Sequence, residues 1–147
     1  GACERSEEVP YAISQLAAGL LAALIAANLI VTGSISEDYP IEMFEPSGME
    51  TSIIVSEILF TFALVFVILN VATSESTEGN GYYGAAIALV VLAGALTVGS
   101  ISLASFNPAV SLSLVVVGKM AAADLWLHLV PQLFGAGAAS LVFNWNT

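Results

Sequence analysis

Residues 99–117 read Gly-Ser-Ile-Ser-Leu-Ala-Ser-Phe-Asn-Pro-Ala-Val-Ser-Leu-Ser-Leu-Val-Val-Val. The segment closes one apolar run, turns through small and polar residues, and restarts at Asn107-Pro108-Ala109 as a second, shorter apolar run. Asn is among the best N-cap residues. Proline suits the first helical turn, where its missing N–H would have had no partner. A helix is therefore expected over 108–117, about 15 Å long at 1.5 Å per residue. A bilayer core is about 30 Å thick, so this helix crosses only half of it. Its N-terminal N–H groups and positive dipole end then lie near the midplane. Irregular backbone at that depth is tolerated only inside protein or beside a wet cavity. The expectation is a re-entrant half-helix serving a pore or a midplane binding site.

Composition agrees with a membrane setting. The 147 residues are 58% hydrophobic and only 10% charged, where a soluble domain carries about 25% charged residues. The mean hydropathy is +0.92. Net charge is −10, with Arg5 and Lys119 the only basic residues besides His128. That excludes nucleic acid as a partner, since nothing could neutralise its phosphates. Two basic residues also cannot set an orientation by the positive-inside rule. Cys3 is the only cysteine, which excludes an intrachain disulfide and a cysteine metal cluster. The acidic first residues do not resemble a signal peptide. No cofactor and no metal are expected.

Working outward, a single membrane domain is expected over 1–147, with full spans at about 9–31, 52–73, 83–99 and 123–145. Pro10 suits a first turn, and Gly19 with several alanines would let neighbouring helices approach closely. Gln15 is the polar exception in the first span and is expected as a buried, hydrogen-bonded side chain. The loop over 32–51 holds Glu37, Asp38, Glu42, Glu45 and Glu50, with no calcium-loop spacing, and reads as a solvated acidic loop. Glu57 lies inside the second span. A carboxylate there faces the bundle interior or water, and the expected role is structural, holding backbone donors of a neighbouring loop. Phe60, Phe62 and Phe66 read as lipid-facing or packing residues. Asn80-Gly81 marks a turn. Gly118-Lys119 supplies a stop and a cation at the negative end of the half-helix. In the last span, Trp126 and Trp145 are placed as interface anchors, Pro131 as a kink, and His128 as a packing or headgroup-level residue.

An internal repeat is visible. Gly1 is as far from Gly118 as Gln15-Leu16 is from Gln132-Leu133. The first and last spans are thus equivalent helices of two repeats. The second follows a half-helix, so the first should as well. The N-terminal half of the inverted repeat is expected to be missing: two spans and a partner half-helix.

Asn107-Pro108-Ala109 at the head of a half-helix resembles the signature of the major intrinsic protein family, the aquaporins and aquaglyceroporins. Ser56-Glu57-Ile58-Leu59-Phe60-Thr61-Phe62-Ala63-Leu64-Val65-Phe66-Val67 is similar to that family's fourth helix. Residues 9–16 are similar to its third helix and residues 125–136 to its sixth. The resemblance implies an all-α membrane protein, an aquaporin-like right-handed helical bundle with a re-entrant half-helix. It implies a passive channel for water or small neutral solutes such as glycerol, lodged in the plasma membrane or another cell membrane and assembled as a homotetramer. Asn107 would donate its side-chain N–H to a passing oxygen, orienting the molecule and breaking a proton wire. Backbone of Gly99, Ser100, Ile101, Ser102, Leu103 and Ser105 would line one wall. Val110 stands where the family commonly has arginine, and Ala104 and Ala95 fall on or near two further constriction positions. The outer constriction is therefore expected to be wider and less polar than in a strict water channel.

Two other readings compete. A secondary transporter with a broken helix would need an ion-coupling site, and Glu57 is the only candidate charge in the spans. An intramembrane enzyme pairing His128 with Ser111 or Ser113 lacks any Gly-x-Ser-x-Gly, and no enzyme is expected. Taken alone, the chain would be a non-conducting half-channel.

Overall fold

The computed structural model describes residues 5–28 and 41–146. Within them the chain forms five α-helices: α1 (Arg5–Ala26), α2 (Glu50–Ile68), α3 (Tyr83–Ser102), α4 (Pro108–Val116) and α5 (Trp126–Asn146). Four helical stretches are long and apolar enough to cross a bilayer: Ser6–Ala26, Glu50–Thr73, Tyr83–Ser102 and Ala122–Asn146. The nine residues of α4 reach only about 14 Å. This is an all-α membrane bundle of four spanning helices and one half-helix. Cys3, the end of the first expected span at 29–31, and Glu37 and Asp38 lie outside the described residues.

The helix ends differ from the sequence expectation in instructive ways. α1 covers Arg5–Ala26, so Pro10 lies inside it rather than in its first turn. Glu7 and Glu8 occupy its first turn, and carboxylates there complement the helix dipole. α3 continues through Gly99 to Ser102. It stops where Leu103 (φ 61°) and Ala104 (φ 48°) turn left-handed. α2 passes into a π-helical turn at Leu69–Thr73. Asn70 Nδ2 donates to the Phe66 carbonyl and Thr73 Oγ1 to the Leu69 carbonyl, each at 2.7 Å. Polar side chains thus satisfy backbone acceptors where the regular ladder loosens. Asn80 closes the α2–α3 turn by donating to the Val71 and Thr77 carbonyls.

α2 packs against α5 and α3, while α1 meets the rest chiefly through α4. The α2–α5 approach is close enough to require Gly135: a Cβ there would sit 2.5 Å from the Ile58 carbonyl oxygen. In lipid such backbone proximity replaces the hydrophobic effect as the source of helix association. Ile53, Val98, Phe106, Leu127, Met120 and Ala139 form the buried apolar core. On α1 the small residues act only where they face α4. Ala23 is buried there, and Ser113 Oγ lies 2.9 Å from the Gly19 carbonyl oxygen while also donating to the Ala109 carbonyl at 2.7 Å.

The position of α4 follows from what its two ends touch. The loop just ahead of it hydrogen-bonds to Glu57 and its own Ser111 to Gln132, both side chains interior to spanning helices. Its tail reaches the segment ahead of α2. The Phe44 N–H donates to the Lys119 carbonyl, and Lys119 Nζ donates to the Glu42 carbonyl, both at 2.8 Å. α4 therefore starts inside the bundle and returns to the side on which α2 and α5 begin. That is a re-entrant half-helix.

Candidate functional site at the head of the half-helix

The chain between α3 and α4 takes an unusual path. Leu103, Ala104 and Phe106 are the non-glycine residues with positive φ among the described residues. Each such conformation costs on the order of 1 kcal/mol, so tertiary contacts must hold it. Glu57 does so: its Oε1 accepts the Ser105 N–H at 3.2 Å, and its Oε2 accepts the Phe106 N–H at 2.9 Å. The carboxylate is completely buried. The Phe106 ring stacks on Phe60 at 5.3 Å between centroids and fills the slot left by Gly94, where any Cβ would overlap it. His128, also completely buried, holds the end of α3 with Nε2 2.9 Å from the Ser102 carbonyl. The Ala104 N–H meanwhile donates to Ser102 Oγ at 3.3 Å.

Asn107 then starts α4 as its N-cap, with extended backbone (φ −150°, ψ 128°) and Pro108 following in the first turn. Its Oδ1 accepts the Ala109 N–H at 2.9 Å, and its carbonyl accepts the Ser111 N–H at 3.0 Å. With the amide oxygen committed to the helix, the Nδ2 hydrogens are the part of the side chain left for another partner. The Val110 N–H, an orphan donor of the first turn, likewise bonds nothing among the described residues.

Behind Asn107 lies a buried polar cluster. Gln132 Nε2 is 2.8 Å from Glu57 Oε2, 3.0 Å from Ser111 Oγ and 3.3 Å from Ser105 Oγ. The two serine hydroxyls are 2.5 Å apart, and each lies 3.3 Å from the Asn107 carbonyl oxygen. The structure thus gathers Glu57, Ser105, Asn107 and Ser111 and adds Gln132, which the sequence marked only as the repeat partner of Gln15.

The remaining candidate positions fall differently. Val110 is 42% exposed and lines a groove of about 400 Å³ between α1 and α4 with Gly19, Ala22, Ala26 and Ser113. Ala95 is exposed on α3 and Ala104 is half-buried. Gln15 is exposed, not buried. α1 meets the rest of the described bundle chiefly through α4. The expected backbone wall over 99–105 is also revised. Gly99, Ser100, Ile101 and Ser102 are helical. The Gly99 carbonyl accepts the Leu103 N–H, and the Ser102 carbonyl is taken by His128. Non-helical backbone begins only at Leu103, with Ser105 buried behind it. His128 and Ser111 serve separate bonds, to Ser102 and to the Gln132 cluster. Among the described residues no group of three His, Cys, Asp or Glu is placed to hold a metal.

The described residues thus form four apolar helices long enough to cross a bilayer and a half-helix that begins at an asparagine cap beside the buried Glu57–Gln132 cluster. Residues 3–143 match the family described as Major intrinsic protein, and the chain belongs to that family. It is similar to "Aquaporin NIP1-4" of Oryza sativa subsp. japonica, 32% identical over 134 residues, covering 91% of this chain and 47% of that protein. It is similar to "Aquaporin NIP1-2" of Arabidopsis thaliana, 32% identical over 145 residues, covering 94% and 48%. It is 45% identical over 94 residues to "Aquaporin Z" of Brucella melitensis biotype 1, covering 59% and 40%. The chain therefore spans about half the length of the curated relatives it matches. No solved structure gives a significant match. As a member of this family the protein is an integral, multi-pass membrane protein.

Proposed function

We propose that this chain supplies half of a passive channel for water and small neutral solutes such as glycerol. Asn107 is its selecting donor, and a complementary half with a second half-helix completes the pore. The observation that carries this reading is the Asn107 cap. Its oxygen is tied to Ala109 at 2.9 Å, which aims the amide N–H groups away from the helix, beside a positive dipole end. A neutral oxygen atom is held there by donation, while a cation is repelled. Val110 widens the outer constriction and removes a positive barrier, so glycerol-sized solutes pass. The same reading has the complete protein assemble as a homotetramer with one pore per subunit.

The relatives' printed names, aquaporins of plant and bacterial origin, support the water part of the reading. The occupancy of Glu57 supports passive flux over ion-coupled transport. Its two oxygens already accept three donors from the loop and from Gln132, which commits most of its roughly four acceptor sites to structure.

Stopped-flow measurement of water and glycerol flux in proteoliposomes holding the complete pore tests the proposal. Fast flux of both without an ion gradient is expected. Glycerol exclusion with fast water flux would overturn the solute assignment. Uptake that requires a sodium or proton gradient would overturn the channel.

A further inference from the structure

We propose that Gln132 is the positioning residue of the pore head, setting the roll of α4 and thereby the direction in which Asn107 presents its amide. This rests on the reading of Asn107 as the pore donor. Glu57 grips backbone N–H groups of the loop alone, and so fixes how deep the loop sits. Gln132 is different. It is 1% exposed on α5, and its Nε2 reaches both the Glu57 carboxylate of α2 and the Ser111 hydroxyl of α4.

Counting hydrogens gives the direction of the network. The Nε2 group has two, and the two shortest contacts, Glu57 Oε2 at 2.8 Å and Ser111 Oγ at 3.0 Å, take them. Ser111 Oγ then accepts from Gln132 and keeps its own hydrogen. Ser105 and Ser111 together hold two hydroxyl hydrogens. One bridges the 2.5 Å gap between them, and the other is donated to the Asn107 carbonyl, 3.3 Å from each hydroxyl. Donation therefore runs one way, from Gln132 through the serines to the main chain of Asn107. On α4, Ser113 lies two residues beyond Ser111, about 200° around the helix, and its single hydroxyl hydrogen is shared between the Ala109 carbonyl of its own helix at 2.7 Å and the Gly19 carbonyl of α1 at 2.9 Å. Ser111 pins the half-helix to α5, while Ser113 divides its hydrogen between its own helix and α1. The α5 pin is the one joined to Asn107.

The test uses Gln132→Met, which keeps length and removes both donors, Ser111→Ala, the double variant, and Asn107→Ala as a reference for the pore itself. Each is reconstituted as the complete pore. The readouts are thermal stability and the ratio of glycerol to water permeability, a quantity that the number of correctly folded channels does not alter. Gln132→Met is expected to shift that ratio roughly fivefold, the scale of one neutral hydrogen bond. Ser111→Ala should shift it comparably, and the double variant no further than either, since residues of one network are not additive. A folded Gln132→Met channel with an unchanged ratio, while Asn107→Ala changes it, overturns the positioning role. If Gln132→Met fails to fold, Ser111→Ala decides by the same criterion. An unchanged ratio in Asn107→Ala as well overturns the pore reading, and this inference with it.

Discussion

Glu57 Oε2 and the Phe106 backbone N–H meet at 2.9 Å across 49 residues of chain. With the Ser105 N–H on the other oxygen, this pair explains how an irregular loop survives inside an apolar bundle. Unpaired backbone N–H groups are costly there, and a single carboxylate removes two of them. It also stabilises the positive φ of Phe106, which local chain preference opposes.

Removing that carboxylate should loosen the loop. Glu57→Leu leaves both amides without acceptors, at about 1–3 kcal/mol for each orphaned donor. Glu57→Gln, which keeps one carbonyl acceptor, should lose roughly half as much. Thermal unfolding in detergent, followed by circular dichroism, orders the two variants. Equal stability of Glu57→Leu and the parent would remove Glu57 from the account.

Asn107 has two separable duties. Asn107→Asp keeps the oxygen that accepts the Ala109 N–H and loses the amide donor. Asn107→Ala loses both, including a cap of about 1 kcal/mol. Stability should fall more in Asn107→Ala than in Asn107→Asp, while water flux per channel falls in both. A wild-type flux in Asn107→Asp would show that the amide hydrogens are not used in permeation.

Gly94 and Phe106 form a lock. Any Cβ at position 94 overlaps the Phe106 ring, so Gly94→Ala should destabilise by about 1–3 kcal/mol through overpacking. Phe106→Leu in the same chain should restore part of the loss. Measuring both by the melting midpoint distinguishes a steric clash from a simple helix-propensity effect, which would instead favour alanine.

Val110 sets the width and charge of the outer mouth under the proposed mechanism. Val110→Arg adds bulk and a cation beside the first turn of α4. Glycerol flux should drop by roughly tenfold or more, and water flux much less. The ratio of the two in stopped-flow traces is the readout. A proportional fall in both would move Val110 away from the selective part of the path.

Much of this fold could be read directly because the relevant chemistry is local. Asn107 and Pro108 specify a helix start through their own cap and ring geometry. The observed α4 begins at Pro108 with the Asn107 side chain bonded to Ala109. Glu57 was readable as a structural carboxylate because a charge inside a span must find donors. The end of α3 was not. The expected span closes at about 99, yet the helix runs on to Ser102. The left-handed turn falls on Leu103 and Ala104, residues with no preference for it.

The two glutamines show the same boundary. Gln15 and Gln132 occupy equivalent repeat positions, yet Gln132 is buried against Glu57, Ser111 and Ser105 while Gln15 is exposed. Sequence alone determined that the chain lies in lipid, that one helix is too short to cross, and that asparagine begins it. Each of these depends on composition, length or contacts within a few residues. Only the tertiary structure decided which polar groups share a donor and which side of the half-helix is pinned. A side chain's partner is chosen by the elements folded against it, and those lie dozens of residues away in the chain.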